Sequence, residues 1–200
     1  MQEHDADLLL LIQNGDEQAF LRLYQARQAA IYRFALHMSG SPFIAEDITQ
    51  EVFLALIRDS RGYDPEKGSL SGYLFGIARK LVLRSLERGR LDIAINEQED
   101  ERGFPDLSSS SDPLAELTHR ETIENLRRAV LALPRRYREV VLLCDIEEVD
   151  YADAAAALGC PIGTVRSRLH RARALLLEKL HHERTPRMPL GSLKPIRCVI

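Results

Sequence analysis

Apolar residues recur at steps of three and four along most of the chain, which is the spacing of an amphipathic helix with one buried face. The spacing holds over residues 8–38, 44–57, 70–88 and 117–133, and it returns after residue 135. No segment alternates apolar and polar residues with the period of two that a half-buried β-strand requires. The pattern therefore predicts an all-α fold.

Turn and capping residues separate the predicted helices. Asp16 is placed to cap a helix that begins at the next residue, and Ser39-Gly40-Ser41-Pro42 combines a helix end with a helix start. Pro134 ends a further helix, because proline has no N–H to donate. Asp150 is expected to cap a short helix that ends at the turn Gly159-Cys160-Pro161.

Composition divides the chain into two helical parts. Residues 91–113 are polar, acidic and rich in serine, and such a segment buries too little apolar surface to offset the entropy of ordering it. This predicts a flexible acidic linker between two small helical domains, residues 1–90 and residues 114–182. A tail over residues 183–200 has no assigned role.

Charge is distributed unevenly along the chain. The net charge is −1 over residues 1–90, −7 over residues 91–119 and +5 over residues 120–200. A basic domain is suited to a phosphate backbone, whereas its acidic neighbour is not. We therefore expect the second domain to bind nucleic acid.

Several functional classes have no support in the sequence. No apolar run reaches the ~20 residues that cross a bilayer, and the N-terminus lacks the basic start and cleavage site of a signal peptide. A cytoplasmic location without membrane insertion is therefore expected. Three cysteines without a CxxC pair predict neither a disulfide framework nor a metal site. Because no catalytic triad, phosphate loop or glycine-rich fingerprint is present, we expect no enzymatic activity, cofactor or small-molecule substrate.

Residues 150–179 carry the most specific functional pattern. A short alanine-rich helix, a three-residue turn with glycine and a longer basic helix are typical of a helix-turn-helix, whose second helix enters the major groove of DNA. One side of that helix should face the core, with Val165, Leu169, Ala172 and Leu176. The other side then presents Arg166, Ser167, His170, Arg171 and Arg173. Arg168 suits either a phosphate or a carboxylate partner. A merely solvated face is the alternative.

Two segments of the second domain resemble region 4 of the extracytoplasmic-function sigma factors of bacterial RNA polymerase. The first is Leu133-Pro134-Arg135-Arg136-Tyr137-Arg138-Glu139-Val140-Val141-Leu142-Leu143, and the second contains Gly163-Thr164-Val165-Arg166-Ser167-Arg168 and Arg171-Ala172-Arg173. A generic helix-turn-helix shares the turn but not these runs. The resemblance implies that the domain contacts the minus-35 promoter element. The implied contacts are Arg166, Ser167, Arg168, His170, Arg171 and Arg173.

The stretch Ala45-Glu46-Asp47-Ile48-Thr49-Gln50-Glu51-Val52-Phe53 resembles the part of sigma region 2 that docks on the core polymerase. An acidic, hydrogen-bonding patch suits a basic partner surface, where such charges set specificity and association rate. The implied docking residues are Glu46, Asp47, Gln50 and Glu51. The buried side of the same helix is expected to carry Ile44, Ile48, Val52, Phe53, Leu56 and Ile57.

The stretch Ser71-Gly72-Tyr73-Leu74-Phe75-Gly76-Ile77-Ala78-Arg79-Lys80-Leu81 resembles the part of region 2 that recognises the minus-10 element. An aromatic ring there can stack on an extruded base, and basic groups can follow the backbone. The implied contacts are Tyr73, Arg79, Lys80 and Arg84. The family often has asparagine where Lys80 stands. A core position is the alternative for Tyr73, and Phe75 is expected in the core.

The resemblance implies a sigma factor that binds core RNA polymerase and directs promoter-specific initiation. It also implies a role in a stress or envelope response, with an anti-sigma factor as a further partner. The alternative is a free-standing helix-turn-helix regulator whose first domain is a sensor or a dimerisation module.

Overall fold

The computed structural model describes residues 2–59, 62–93 and 113–184. In these ranges the chain is helical and contains no strand, so the predicted all-α class is confirmed. Most of the predicted linker and the tail after Arg184 lie outside the described residues. The α-helices are α1 (Gln2–Gln13), α2 (Glu17–Ser39), α3 (Pro42–Arg58), α4 (Leu70–Ile93), α5 (Pro113–Leu131), α6 (Arg135–Val141), α7 (Tyr151–Leu158) and α8 (Ile162–Arg184). A 3₁₀ helix, Pro65–Lys67, precedes α4, and a π-helical turn, Leu142–Ile146, follows α6.

Local capping chemistry sets several of the helix ends. The Asp16 side chain accepts the N–H groups of Gln18 and Ala19, at 2.9 and 3.0 Å, as predicted. Gly40 ends α2 in the left-handed region, with φ of 77°. Asp150 occupies the cap position of α7, but its side chain makes no capping hydrogen bond, so that part of the prediction is wrong.

Helices α1 to α4 form the first half of the molecule around a shared apolar core. Phe34 on α2 and Phe75 on α4 are both buried, and their rings meet edge to face with centroids 5.4 Å apart. The expected core role of Phe75 is therefore confirmed. Ile57, in contrast, was predicted inward and is 50% exposed. It follows Ile48 by nine residues, which at about 100° per residue places the two on opposite sides of α3.

Helices α5 to α8 form the second half, and this half packs directly on the first. The α2·α5 and α4·α7 packing joins the two halves, and one continuous apolar core contains buried residues from both. Arg138 on α6 strengthens the junction. Its guanidinium donates to the backbone carbonyl of Met38 at 2.7 Å, and also to those of Leu131 and Leu133. The Arg138 guanidinium thus donates hydrogen bonds to carbonyls at the C-terminal ends of α2 and α5. Such carbonyls have no acceptor role within their own helix.

The π-helical turn after α6 directs two carboxylates to different neighbours. Its wider winding is shown by the Glu147 N–H, which donates to the carbonyl of Leu142 at 2.9 Å. Asp145 binds Arg173 on α8, whereas Glu147 binds Arg33 on α2. None of the helices in the described ranges is long and apolar enough to cross a membrane.

Candidate nucleic-acid and polymerase surfaces

The connection between α7 and α8 has the geometry of a helix-turn-helix. Gly159 adopts φ of 63°, a left-handed conformation that favours glycine. Its N–H donates to the carbonyl of Ala156 at 3.2 Å, and the N–H of Cys160 donates to that of Ala155 at 3.0 Å. These two bonds satisfy two of the last four carbonyls of α7 and accompany the turn of the chain into α8.

Helix α8 has the predicted apolar and polar sides. Val165, Leu169 and Ala172 are buried against the rest of the second half. Arg166, Ser167, His170, Arg171 and Arg173 are exposed, and Arg168 is half-buried. The face predicted to contact DNA therefore points outward, as the register required.

Two arginines of this face have partners inside the domain. The guanidinium of Arg173 binds both carboxylate oxygens of Asp145, at 2.6 and 3.0 Å, and this raises the pKa of Arg173. Arg168 lies 4.0 Å from the sulfur of Cys160 in the turn. In this conformation both side chains hold α8 in place, and their DNA contacts remain predictions.

Arg166, Ser167 and Arg171, on the same exposed face of α8, each contact a neighbouring group of the second half. The guanidinium of Arg166 lies 5.8 Å from the centre of the Tyr151 ring, and the Ser167 hydroxyl donates to the carbonyl of Thr164 at 3.0 Å. A hydrogen bond with Arg171 lowers the pKa of Tyr137, whose ring is buried beneath α8. Such contacts orient the side chains before any ligand is bound.

The region predicted to contact the minus-10 element surrounds a cavity of about 330 Å³. Tyr73 on α4 lines it beside Tyr63, with ring centroids 5.6 Å apart. Burial, followed by the charge of Asp59, raises the pKa of Tyr73. Asp153 and Ala157 of α7 close the opposite wall. The size and aromatic lining suit a planar group, and α7 of the second half contributes part of the lining.

The basic residues predicted near this cavity have different surroundings. Lys80 is exposed and lines the cavity, and Arg84 is exposed one turn further along α4. Arg79 instead points towards α6, where its Nε lies 3.3 Å from an oxygen of the buried Glu139. The structure therefore brings Tyr73 and Lys80 together and separates Arg79 from them.

The predicted docking residues lie along the outer side of α3. Glu46, Asp47, Gln50 and Glu51 are all exposed, whereas the opposite side of the helix is in the core. Apolar side chains extend this surface at both ends. These residues are Phe43, Leu54 and Ile57, which are 79%, 43% and 50% exposed. The sequence analysis did not predict that they belong to this surface.

The helical phase could have placed these apolar residues. Leu54 and Ile57 follow Gln50 by four and seven residues, the spacing of one helix face. Phe43, in the first turn of α3, precedes Asp47 by four residues and Gln50 by seven, so the same spacing places it on this face. A patch with charged groups at its centre and exposed apolar groups at its ends is suited to a protein partner.

Comparisons with known proteins match the two halves of the chain to two regions of one protein family. The family model described as Sigma-70 region 2 matches residues 23–91, and that described as Sigma-70, region 4 matches residues 123–176. The ECF RNA polymerase sigma factor SigC of Mycobacterium tuberculosis strain CDC 1551 is 32% identical over 182 residues, which cover 85% of this chain and 88% of SigC.

Two further relatives extend the comparison. The ECF RNA polymerase sigma factor SigE of Mycolicibacterium smegmatis is 35% identical over 153 residues, covering 75% of this chain but only 57% of that longer protein. The sigma factor RpoE of Bartonella quintana, solved in complex with the anti-sigma factor NepR, superimposes with a TM-score of 0.64 at 27% identity, covering 82% of this chain and 98% of RpoE. Both family regions and a relative matched over nearly its whole length place this chain in the family of ECF RNA polymerase sigma factors.

Proposed function

We propose that this chain binds core RNA polymerase in the cytoplasm through α3 and directs it to promoters through α4 and α8. The observation that carries the proposal is the register of α8. Its aliphatic side anchors the helix, and Arg166, His170 and Arg171 face outward where a DNA groove can receive them. An arginine paired bidentately with guanine discriminates by about 1–3 kcal/mol, enough to select a minus-35 sequence.

The exposed side of α3 supports docking on the polymerase. Four hydrogen-bonding residues, three of them acidic, lie between exposed apolar groups, so a basic surface with apolar pockets would complement it. In this scheme the chain supplies binding and base recognition, and the polymerase makes the phosphodiester bonds. Because a region 2 match covers the first half, a free-standing regulator has no support.

We also propose an anti-sigma factor as a partner. The support is the structure of RpoE from Bartonella quintana, which was solved with such a factor bound. A partner that covers α3 or the outer face of α8 would prevent docking or promoter recognition.

The test of the α8 assignment is transcription in vitro with purified core polymerase and promoters that carry or lack a minus-35 element. Arg171→Ala should lose most of the stimulation by that element, by about tenfold or more, if a guanine contact is removed. Arg22→Ala, an exposed arginine on α2, is the matched control and should behave as the parent chain. Equal stimulation of the Arg171→Ala variant and the parent would refute the assignment.

The docking assignment has an independent test. Asp47→Arg reverses a charge at the centre of the α3 surface and should weaken association with core polymerase, measured by competition binding. Asp7→Arg reverses an exposed charge on α1 and is the control. Equal affinities of the two variants would remove α3 from the proposed interface.

A further inference from the structure

Tyr137 on α6 contacts one arginine of its own helix and one arginine of α8. Its side chain is 8% exposed and belongs to the apolar core. The guanidinium of Arg136, the preceding residue, lies 4.8 Å from the centre of the Tyr137 ring. Arg171 on α8 reaches the hydroxyl of the same ring, and this hydrogen bond lowers the pKa of Tyr137. One buried side chain therefore contacts a cation from each of two packed helices.

The positive charges of these two arginines are not balanced by a carboxylate in the part of the chain that the structure describes. Arg173, on the same helix as Arg171, pairs there with Asp145, whereas neither Arg136 nor Arg171 forms an ion pair with a described residue. Both exposed guanidiniums lie close to one phenol. Two like charges held this close together repel each other, and an anion that binds between them relieves the repulsion.

A phenol and a carboxylate hold an arginine with different consequences. Asp145 binds the guanidinium of Arg173 through both of its oxygens, and its negative charge offsets that of the arginine. A phenol carries no charge at neutral pH. The contact with Tyr137 therefore fixes the direction of Arg171 and leaves its positive charge available. A side chain that is oriented in advance loses less entropy when it binds a ligand.

The helical phase places Arg171 at one edge of the exposed face of α8. Arg171 follows Arg166 by five residues, which at about 100° per residue puts the two about 140° apart around the helix. Ser167 and His170 project between them and are exposed. Helix α6 packs on α8, and Arg136 extends the exposed basic face from α8 onto α6.

We propose that Tyr137 is a positioning residue of the DNA surface: its ring holds Arg136 and its hydroxyl holds Arg171, so that both guanidiniums meet promoter DNA already oriented. Arg171 then contacts a base edge in the major groove, and Arg136 contacts a phosphate beside the groove. The inference rests on the proposed function, because it takes the exposed face of α8 as the DNA contact. Two arginines on separate helices thereby act as one unit.

The variant Tyr137→Phe separates the role of the hydroxyl from that of the ring. Phenylalanine keeps the buried ring and its contact with Arg136, but it cannot form a hydrogen bond with Arg171. A cooperative thermal transition verifies that the variant is folded. Tyr24→Phe removes a hydroxyl from a half-buried ring of α2 in the first half, and it is the matched control.

Selection from a promoter library with a randomised minus-35 region, performed with core polymerase and the full chain, measures the base preference at each position. The preference that Arg171→Ala loses identifies the base that Arg171 contacts. Tyr137→Phe should reduce the preference at that same position by about threefold to tenfold, the effect of one hydrogen bond, and leave the other positions unchanged. Tyr24→Phe should keep the preferences of the parent chain at every position.

The outcomes distinguish this inference from the proposed function. If Arg171→Ala loses no base preference, Arg171 does not read the minus-35 element, and the inference fails together with that assignment. If Arg171→Ala loses a preference that Tyr137→Phe keeps, the inference alone is wrong. An equal loss of binding to all sequences in Tyr137→Phe would give Tyr137 a purely structural role, which also overturns the inference.

The part of Arg136 is measured through the salt dependence of promoter binding. Arg136→Ala should weaken binding to all sequences alike and reduce the slope of log K against log salt by about one, because one phosphate contact is lost. Its base preferences should match those of the parent chain. Arg22→Ala, which removes an exposed arginine from α2, is the control. An unchanged slope for Arg136→Ala would overturn the assignment of Arg136 to the DNA surface.

The contact between Tyr137 and Arg171 can be observed in the absence of DNA. Tyrosine labelled with ¹³C at Cζ reports the titration of each phenol by NMR, and Tyr137→Phe identifies the signal of Tyr137 by its loss. Arg171→Met should raise the pKa of Tyr137, because it removes the hydrogen bond and the charge that lower it. An unchanged titration of Tyr137 in this variant would show that the two groups do not meet in solution and would overturn the inference.

Discussion

Replacing Arg79 with methionine should destabilise the folded chain by about 3–5 kcal/mol, because the change leaves the Glu139 carboxylate buried without its cation. The two side chains are 25% and 3% exposed, respectively. Their closest atoms are 3.3 Å apart, but neither atom is aligned for a hydrogen bond. Arg79 therefore compensates the burial of this carboxylate oxygen by Coulombic attraction and not by a hydrogen bond. Methionine keeps the aliphatic contact and removes that attraction.

A second substitution separates charge from shape. Glu139→Gln in the Arg79→Met chain replaces the buried charge by a neutral amide of similar size. A buried amide with incomplete hydrogen bonding costs about 1–3 kcal/mol, less than an unpaired carboxylate. The double variant should therefore recover roughly half of the lost stability.

Urea denaturation of the full chain, followed by far-ultraviolet circular dichroism, gives the free energy of unfolding of the parent and the variants. Arg79 lies on α4 and Glu139 on α6, so the penalty arises only while the two halves are packed together. A loss below about 1 kcal/mol for Arg79→Met, the value of an exposed pair, would refute this reasoning and the packing of the halves in solution. A double variant no more stable than Arg79→Met would assign the loss to shape instead of charge.

Two further perturbations probe the junction. Burial, followed by Arg127 and Arg33, lowers the pKa of His37 to about 4, whereas an unfolded histidine titrates near ~6.5. The unfolded chain therefore binds a proton that the folded chain excludes, and the free energy of unfolding should fall by up to about 3 kcal/mol as the pH drops from about 6.5 to about 4. In urea titrations at several pH values, His37→Leu should remove this pH dependence of the free energy of unfolding. A variant with the same pH dependence as the parent chain would contradict the role of His37. Arg138→Met should cost about 2–4 kcal/mol in thermal unfolding, because three carbonyls lose a charged donor; an unchanged Tm would contradict the junction.

Local chemistry made the helices predictable. Asp16, Gly40 and Gly159 act within one turn of their own position, so their roles followed from residue type and spacing. The register of α8 was predictable for the same reason, because its buried residues repeat at helical steps. Ile57 was misplaced because a long apolar run hides the phase of a helix, and the exposed patch of α3 was incomplete as a result.

The packing of the two halves could not be predicted from periodicity. An apolar stripe shows that a face is buried but not which helix covers it. Glu139, Glu147 and Asp153 lie in a segment predicted to fold separately, and their partners are 60 or more positions away. One signal was present: Gly72 and Gly76 stand four residues apart on α4, which permits close approach of another helix.

The π-helical turn fixes the number of residues that the chain can have next to its contact with α8. Asp145 in the turn binds α8, and Glu147, which directly follows the turn, binds α2, so a segment of three residues contacts both helices. Deleting a single residue there would swing the downstream side chain by roughly a quarter of a turn. One of the two fastenings would then be lost whichever side kept its register. Insertions and deletions should accordingly be far less tolerated at this turn than in an ordinary surface loop.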